Sequence, residues 1–154
     1  SMVSGQSSPS YSTFEYDGLD CPDTMDVHAT LSVWLTVRNE SDRDGDEVVQ
    51  VYLHDRVADV ARPVRRLAGF KRLTVPAGGA RRIKFIIDAS QLGYFDRAMN
   101  FVVDPGEVEV LVGASSRDIR LRKTVTLQGD RRPLQQKQLV ATQVEVREVD
   151  DDRN

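Results

Sequence analysis

Residues 27–37 read VHATLSVWLTV, and this stretch decides the fold class because apolar and polar side chains alternate along it. Every odd-numbered position from Val27 to Val37 is apolar, and Trp34 is the one large apolar side chain at an even position. A period of two residues is typical of a strand with one face buried in a core. The stretch therefore predicts a half-buried β-strand over residues 27–37, with Trp34 on the face opposite the core.

Similar short apolar patterns recur along the chain and are separated by turn residues. Polar or glycine-rich turns are predicted at 39–46, 76–79 and 104–106, and a single helical turn capped by Asp88 at 88–92. Further strands are predicted at 11–16, 47–53, within 62–75, and at 83–87, 101–103, 108–112 and 119–127. Seven or eight short strands with turns about every ten residues indicate an all-β fold, an antiparallel β-sandwich.

The length of 154 residues suits one domain with tails. Residues 1–10 are rich in Ser, Gly, Gln and Pro and are interpreted as a linker or tag remnant. The sandwich is expected over residues 11–127. Residues 128–154 are interpreted as a C-terminal extension, partly disordered or adding a strand within 139–149.

Composition restricts the partners of the chain. The formal net charge of −3 argues against nucleic acid, and no apolar run approaches the ~20 residues that span a bilayer. The single cysteine, Cys21, excludes an intrachain disulfide framework but says nothing of the compartment. We therefore expect neither nucleic acid nor membrane as a partner. Secreted, periplasmic and cytoplasmic locations stay open.

A set of short motifs occurs in order along the chain, at residues 11–16, Asn39, Gly45, 47–50, Tyr52, Arg62-Pro63, Leu67, 69–71, Leu92, 94–96, 105–107 and 112–119. These motifs resemble the fibronectin type III-like domain at the C-terminal end of glycoside hydrolase family 3 enzymes. The resemblance covers roughly residues 11–127, and its strength comes from the order and spacing of the motifs. The Pro76–Gly79 turn departs from the Pro-Gly-Glu usual in that family.

The resemblance implies a function for the parent enzyme rather than for this segment. Family members carry the catalytic aspartate on a (β/α)₈ barrel and the acid/base on the barrel or on an α/β-sandwich domain, both upstream of this module. No catalytic residue can therefore be carried over to this chain. The parent is expected to be a retaining, exo-acting β-glycosidase such as a β-glucosidase or β-xylosidase.

Other patterns that carry chemistry are weak here. Residues 42–47 look like a calcium loop, but Gly45 stands fourth rather than sixth and position twelve is Leu53. Cys21, His28 and His54 are too scattered for a zinc site. We therefore expect no catalytic residue, no metal and no cofactor in this segment.

The predicted role is a non-catalytic accessory domain that packs on the barrel and α/β-sandwich domains, supporting stability, the active-site rim or a homodimer contact. The candidate contact residues are Trp34, Arg62, Arg65 and Phe70. For Trp34, packing against a neighbouring domain or the tail strand is favoured over stacking on a sugar. The alternatives are a module that binds a polysaccharide or another polymer, and a freestanding adhesion domain.

Overall fold

A computed structural model of the chain describes residues 14–55, 65–96, 98–135 and 140–149. The regular elements of the described residues are strands, as the alternation predicts, apart from one 3₁₀ turn at Ala89–Leu92. The strands are β1 (Phe14–Asp20), β2 (Thr24–Asp26), β3 (Thr30–Asn39), β4 (Gly45–Asp55), β5 (Arg65–Val75), β6 (Ala80–Asp88), β7 (Tyr94–Phe95), β8 (Phe101–Val103), β9 (Gly106–Ser115), β10 (Asp118–Gln128), β11 (Arg132–Pro133) and β12 (Gln143–Glu148).

The strands form three sheets. Sheet A has the order β1-β3-β6-β12, sheet B the order β2-β10-β9-β4-β5, and the small sheet C the order β11-β8-β7. The pairs are antiparallel except for β2 and β10, which run parallel. The predicted antiparallel sandwich is therefore confirmed in its main sheets. The predicted number of seven or eight strands was too low, because β2, β7 and β11 are too short to show a period of two.

The core lies between sheets A and B and is built from the alternating apolar side chains. In β3, Val33, Leu35 and Val37 are fully buried, while Trp34 lies on the outer face. In β4, Val49 and Val51 are likewise fully buried. Side chains at every second position of a strand share one face, so each sheet supplies one apolar face to a common core.

The strand predicted over residues 27–37 begins three residues late. Val27–Ala29 form a turn, in which the amide of Ala29 donates to the carbonyl of Asp26 at 3.0 Å. The carboxylate of Asp26 accepts from the amide of His28 at 2.8 Å. This local bonding competes with the ladder, because Asp readily bonds the backbone two residues on. The prediction was wrong for residues 27–29, although Val27 is still buried in the core.

Asn39 closes the turn between the two sheets. Its side-chain oxygen accepts from the amide and the hydroxyl of Ser41, at 2.9 and 2.7 Å. Its side-chain nitrogen donates to the carbonyls of Arg43 and Val75, at 2.8 and 2.9 Å. The residue is 1% exposed. The turn predicted at residues 39–46 is observed at residues 40–44, because Asn39 ends β3 and Gly45 begins β4, and the side-chain amide of Asn39 satisfies groups on both sides of it.

Tyr16 ties β1 of sheet A to sheet B. Its hydroxyl donates to the carboxylate of Glu47 on β4 at 2.8 Å, and the guanidinium of Arg120 on β10 lies 5.1 Å from its ring centroid. Burial, then the neighbouring Glu47, raises the pKa of Tyr16 well above its usual value. The phenol therefore stays protonated and donates throughout the physiological range.

The extension contributes an edge strand to the sandwich. Strand β12 pairs with β6 from Gln143 opposite Ile86 to Glu148 opposite Arg81. Just before it, Thr142 approaches β5 so closely that a Cβ atom on Gly69 would lie 2.9 Å from its methyl group. Gly69 is therefore needed for close approach rather than for a positive φ. The predicted strand residues 11–13 and the expected tail residues 150–154 lie outside the described residues.

Candidate interaction surfaces

Trp34 lies on the outer face of sheet A among three cations. In the ladder it stands opposite Asp20 of β1 and Lys84 of β6, and Arg147 of β12 stands opposite Arg82 of β6. The side-chain cations of Lys84, Arg82 and Arg147 lie 5.1, 5.2 and 5.4 Å from the indole ring centroid. Such distances allow cation–π attraction. We name this region the Trp34 face.

A surface depression of about 410 Å³ opens beside the indole. It is lined by an aromatic ring, two guanidinium groups, two carboxylates and one apolar side chain, from Trp34, Arg82, Arg147, Asp20, Glu148 and Val149. Four strands supply lining residues, namely β1, β3 and β6 of the sandwich and the tail strand β12. The tail therefore contacts Trp34 through Arg147 and leaves a cavity on one side of the ring.

A second surface lies on the outer face of sheet B, at its edge strand β5. Phe70 stands opposite Gln50 of β4, and Leu67 stands opposite Tyr52. Phe70 is 59% exposed and Leu67 is 46% exposed. A β-bulge at Ala68 shifts the register between these two pairs and keeps both apolar side chains on the outer face. We name this region the β5 face.

A shallow apolar groove of about 320 Å³ borders the β5 face and separates it from the tail. Its lining residues are Leu67, Ala68, Gly69, Phe70, Gln91, Ala141, Thr142 and Val144. The side-chain amide of Gln91 donates to the carbonyl of Val140 at 2.6 Å and so holds the tail in place. The groove and the two exposed apolar side chains form one continuous surface.

The four predicted contact residues are thus not brought together. Trp34 lies on sheet A and Phe70 on sheet B, with opposite outward directions. Arg62 lies outside the described residues, and for Arg65 the structure describes only the backbone, opposite His54. The contact roles of all four residues stay predictions.

The basic residues in the stretch from Arg66 to Lys84 lie on two different sheets. Arg66 on β5 donates to the carbonyls of Gln91 and Gly93, both at 2.6 Å, and Arg72 pairs with Asp46 at 3.1 Å. Arg82 and Lys84 lie on β6 beside Trp34. The described part of the stretch therefore does not form one continuous positive patch.

The turn that looks like a calcium loop directs its carboxylates to the protein itself. Asp44 accepts from the amide of Ala77 at 2.9 Å, and Asp46 accepts from the hydroxyl of Thr74 at 2.7 Å. Among the residues that the structure describes, no group of three or more metal-ligating side chains is placed to hold an ion. In the same described ranges, no helix is long and apolar enough to cross a membrane.

The β7–β8 hairpin has an electrostatic clamp that the sequence did not indicate. Arg131 donates to Asp104 at 2.6 and 2.9 Å and to Asp96 at 2.9 Å, and Tyr94 donates to Asp104 as well. Burial raises the pKa of Asp104, but the hydrogen bonds from Arg131 and Tyr94 outweigh it and hold the pKa below its usual value. These residues lie up to 37 positions apart and share no periodic pattern.

Comparison with known proteins places this sandwich in a family. The family model of the "Fibronectin type III-like domain" matches residues 47–116. An exo-α-(1→6)-L-arabinopyranosidase of Bifidobacterium breve is 39% identical over 122 residues, which are 79% of this chain and 16% of that protein. A β-xylosidase of Formosa agariphila is 37% identical over 77% of this chain and 16% of its own length.

Solved structures likewise match this chain over only a small part of their own length. A β-glucosidase from Listeria innocua matches with a TM-score of 0.74 at 33% identity, over 79% of this chain and 17% of that one. The GH3 β-glucosidase of Bifidobacterium adolescentis matches with a TM-score of 0.70 at 40% identity, over 78% of this chain and 18% of that one. The chain thus spans less than a fifth of these relatives. Residues 47–116 therefore belong to the fibronectin type III-like domains, and the chain as a whole is similar to one segment of larger glycosidases, among them a GH3 β-glucosidase.

Proposed function

We propose that this chain is the non-catalytic accessory domain of a larger family 3 glycosidase and that it packs against the catalytic part of that enzyme through the β5 face. The observation that carries the proposal is the length relation, because similar enzymes contain this sandwich as only 16–18% of their chains. The reaction proposed for the parent is exo-acting hydrolysis of a terminal glycoside with retention. The sugar named differs among the relatives, so the proposal stops at that reaction class.

The β5 face suits such packing because it combines exposed apolar area with a fixed backbone. Phe70 and Leu67 are about half exposed, beside the half-buried Tyr52 and the groove along the tail. Contiguous apolar side chains on a soluble domain commonly mark a protein contact, and aromatic residues are enriched in such contacts. The proposed role is mechanical: burial of this surface stabilises the parent and fixes the orientation of its domains.

The exposed area of the Phe70 side chain that a partner could cover determines the expected effect of replacing this residue. A phenylalanine side chain buries roughly 150–250 Å² in a full contact, so its exposed 59% leaves about 100 Å² to cover. At about 25 cal/mol per Å² this amounts to about 2.5 kcal/mol. A loss of that size weakens a domain contact roughly 50- to 100-fold.

The first experiment assays the purified chain and its parent enzyme on aryl glycosides. The chain alone is expected to release no aglycone, and the coding sequence upstream of Val3 is expected to encode a catalytic barrel. In the parent, Phe70→Ser is expected to lower the thermal midpoint of activity. The matched control is Met99→Ser, which changes a 72% exposed residue on the β7–β8 hairpin. Turnover by the isolated chain would contradict the proposal.

A further inference from the structure

We propose that the depression on the Trp34 face is a binding site for a saccharide that carries a carboxylate, such as a uronic acid unit. This inference does not depend on how the domain packs in a parent enzyme. It rests on the cluster of charges around one indole, on the side chains that line the cavity, and on the way Arg82 is held in position.

The cluster of cations is unusual because three positive groups surround one aromatic ring. Lys84, Arg82 and Arg147 all lie within 5.4 Å of the Trp34 ring centroid, although like charges gathered around one ring repel one another. Within the described ranges, none of these three forms an ion pair with a carboxylate. An anionic group placed between the two guanidiniums would offset the repulsion and accept their hydrogen bonds.

Arg82 is held in one position before any ligand arrives. Its guanidinium donates to the hydroxyl of Thr36 at 2.9 Å. Strand β1 bulges between Asp17 and Asp20, and Gly18 adopts a φ of +66° there. A Cβ atom on Gly18 would lie 3.3 Å from the guanidinium, so the bulge with its glycine makes room for Arg82. Bulges commonly redirect side chains at functional sites.

The remaining lining residues favour an acidic saccharide over other anions. Asp20 and Glu148 both line the depression, and their carboxylates accept hydrogen bonds from sugar hydroxyls, which the side chains of an acidic peptide lack. The indole of Trp34 offers an apolar surface to the C–H groups of a pyranose ring, while a neutral sugar would leave the cations without an anionic partner. Glu145, opposite Lys84 on the same face, is not among the lining residues. The volume of about 410 Å³ lies within the range of small-ligand pockets, roughly 300–1,000 Å³.

The single tryptophan makes the test specific to this site, because the intrinsic indole fluorescence of the chain comes only from Trp34. The 154-residue chain is titrated at physiological ionic strength with tetragalacturonic acid, with cellotetraose as the neutral probe and with hexaglutamate as the acidic peptide. Physiological salt screens contacts between exposed charges. A saturable change in fluorescence is expected with tetragalacturonic acid and not with the other two.

Two variants and one control locate the site. Arg82→Gln and Arg147→Gln are each expected to weaken binding at least about tenfold, since each removes one charge-assisted contact. The control is Arg38→Gln, which removes the same charge from the same sheet. Arg38 pairs with Asp17 at 3.6 Å and does not line the depression, so this variant is expected to bind tetragalacturonic acid normally. Urea unfolding of each variant checks that it is folded; Arg147 is exposed, so its variant remains informative if Arg82→Gln does not fold.

The remaining outcomes overturn the proposal. Absence of a saturable change with tetragalacturonic acid excludes the site. Equal binding of cellotetraose excludes the role of the carboxylate, and equal binding of hexaglutamate excludes the saccharide. Binding that survives both arginine changes would place the ligand elsewhere on the chain.

Discussion

Replacing Asn39 by alanine is expected to remove most of the bonding that holds the β3–β4 turn. The side chain makes four hydrogen bonds of 2.7–2.9 Å, to Ser41, Arg43 and Val75, and it is 1% exposed. Each bond contributes about 1 kcal/mol net, and water can replace some of them because Ser41 and Arg43 lie near the surface. The expected loss is therefore about 3 kcal/mol in the free energy of unfolding.

Urea unfolding followed by the fluorescence of Trp34 measures this loss. With a slope of about 2 kcal/mol per molar urea, the midpoint falls by about 1.5 M. Ser41→Ala is the control in the same turn, since it removes only the hydroxyl contacts to Asn39 and Arg43. Its expected cost is about 1 kcal/mol or less. A loss below about 1 kcal/mol for Asn39→Ala would refute the view that this amide holds the turn.

Asn39→Asp separates the two halves of the network. The aspartate keeps an oxygen for the amide and hydroxyl of Ser41, but it turns a second oxygen toward the carbonyls of Arg43 and Val75. Repulsion and burial favour the protonated acid, so the pKa of this carboxyl in the folded state rises above its unfolded value. The variant is therefore expected to be strongly destabilised at pH 7 and to approach the wild type below about pH 4, where the acid is protonated in both states. A loss that does not change with pH would contradict this reasoning.

The remaining predictions concern the tail and the hairpin clamp. In Gly69→Val even the Cβ atom would lie 2.9 Å from the methyl group of Thr142, so the tail must move, and hydrogen exchange of the β12 amides is expected to accelerate. Unchanged exchange in the Gly69 variant would show that the tail does not depend on this approach. Arg131→Gln removes the partner that holds the pKa of Asp104 below its usual value. A carboxyl whose pKa is lowered in the folded state stabilises the fold at pH values above its unfolded pKa of about 4, and this stabilisation is lost as the pH falls through the folded pKa. Because the variant has less of this stabilisation to lose, its free energy of unfolding is expected to fall less than that of the wild type between about pH 5 and pH 2. If the free energies of unfolding of variant and wild type, measured in urea, fall equally as the pH is lowered, the result would argue against the clamp.

The alternation of apolar residues was sufficient to predict the main strands, because one buried face per strand is a local property of the sequence. The position of Trp34 on the outer face was predicted in the same way. The cap at Asp88, whose side chain accepts from the amide of Ser90 at 2.9 Å, was predicted from its residue type. The turn at residues 27–29 was missed, since its apolar residues alternate as a strand does while Asp26 bonds the backbone locally. Short strands such as Thr24–Asp26 carry too few residues for any period.

The surfaces could be predicted only in part, because they depend on which strands become neighbours. Trp34 and Phe70 were identified from the sequence as contact candidates. The three cations around Trp34 come from β6 and β12, and nothing in the sequence sets the pairing of residues 143–148 with β6. The exposure of Phe70 follows from the edge position of β5 and from the bulge at Ala68, which are properties of the folded sheet.

The affinity between the 154-residue chain and the separately produced catalytic part of its parent enzyme tests the central claim most directly. Calorimetric titration is expected to show a specific complex, which Phe70→Ser weakens roughly 50- to 100-fold and Met99→Ser leaves unchanged. Absence of a complex, or equal weakening by the two substitutions, would contradict the assignment of the β5 face as the surface that packs on the enzyme.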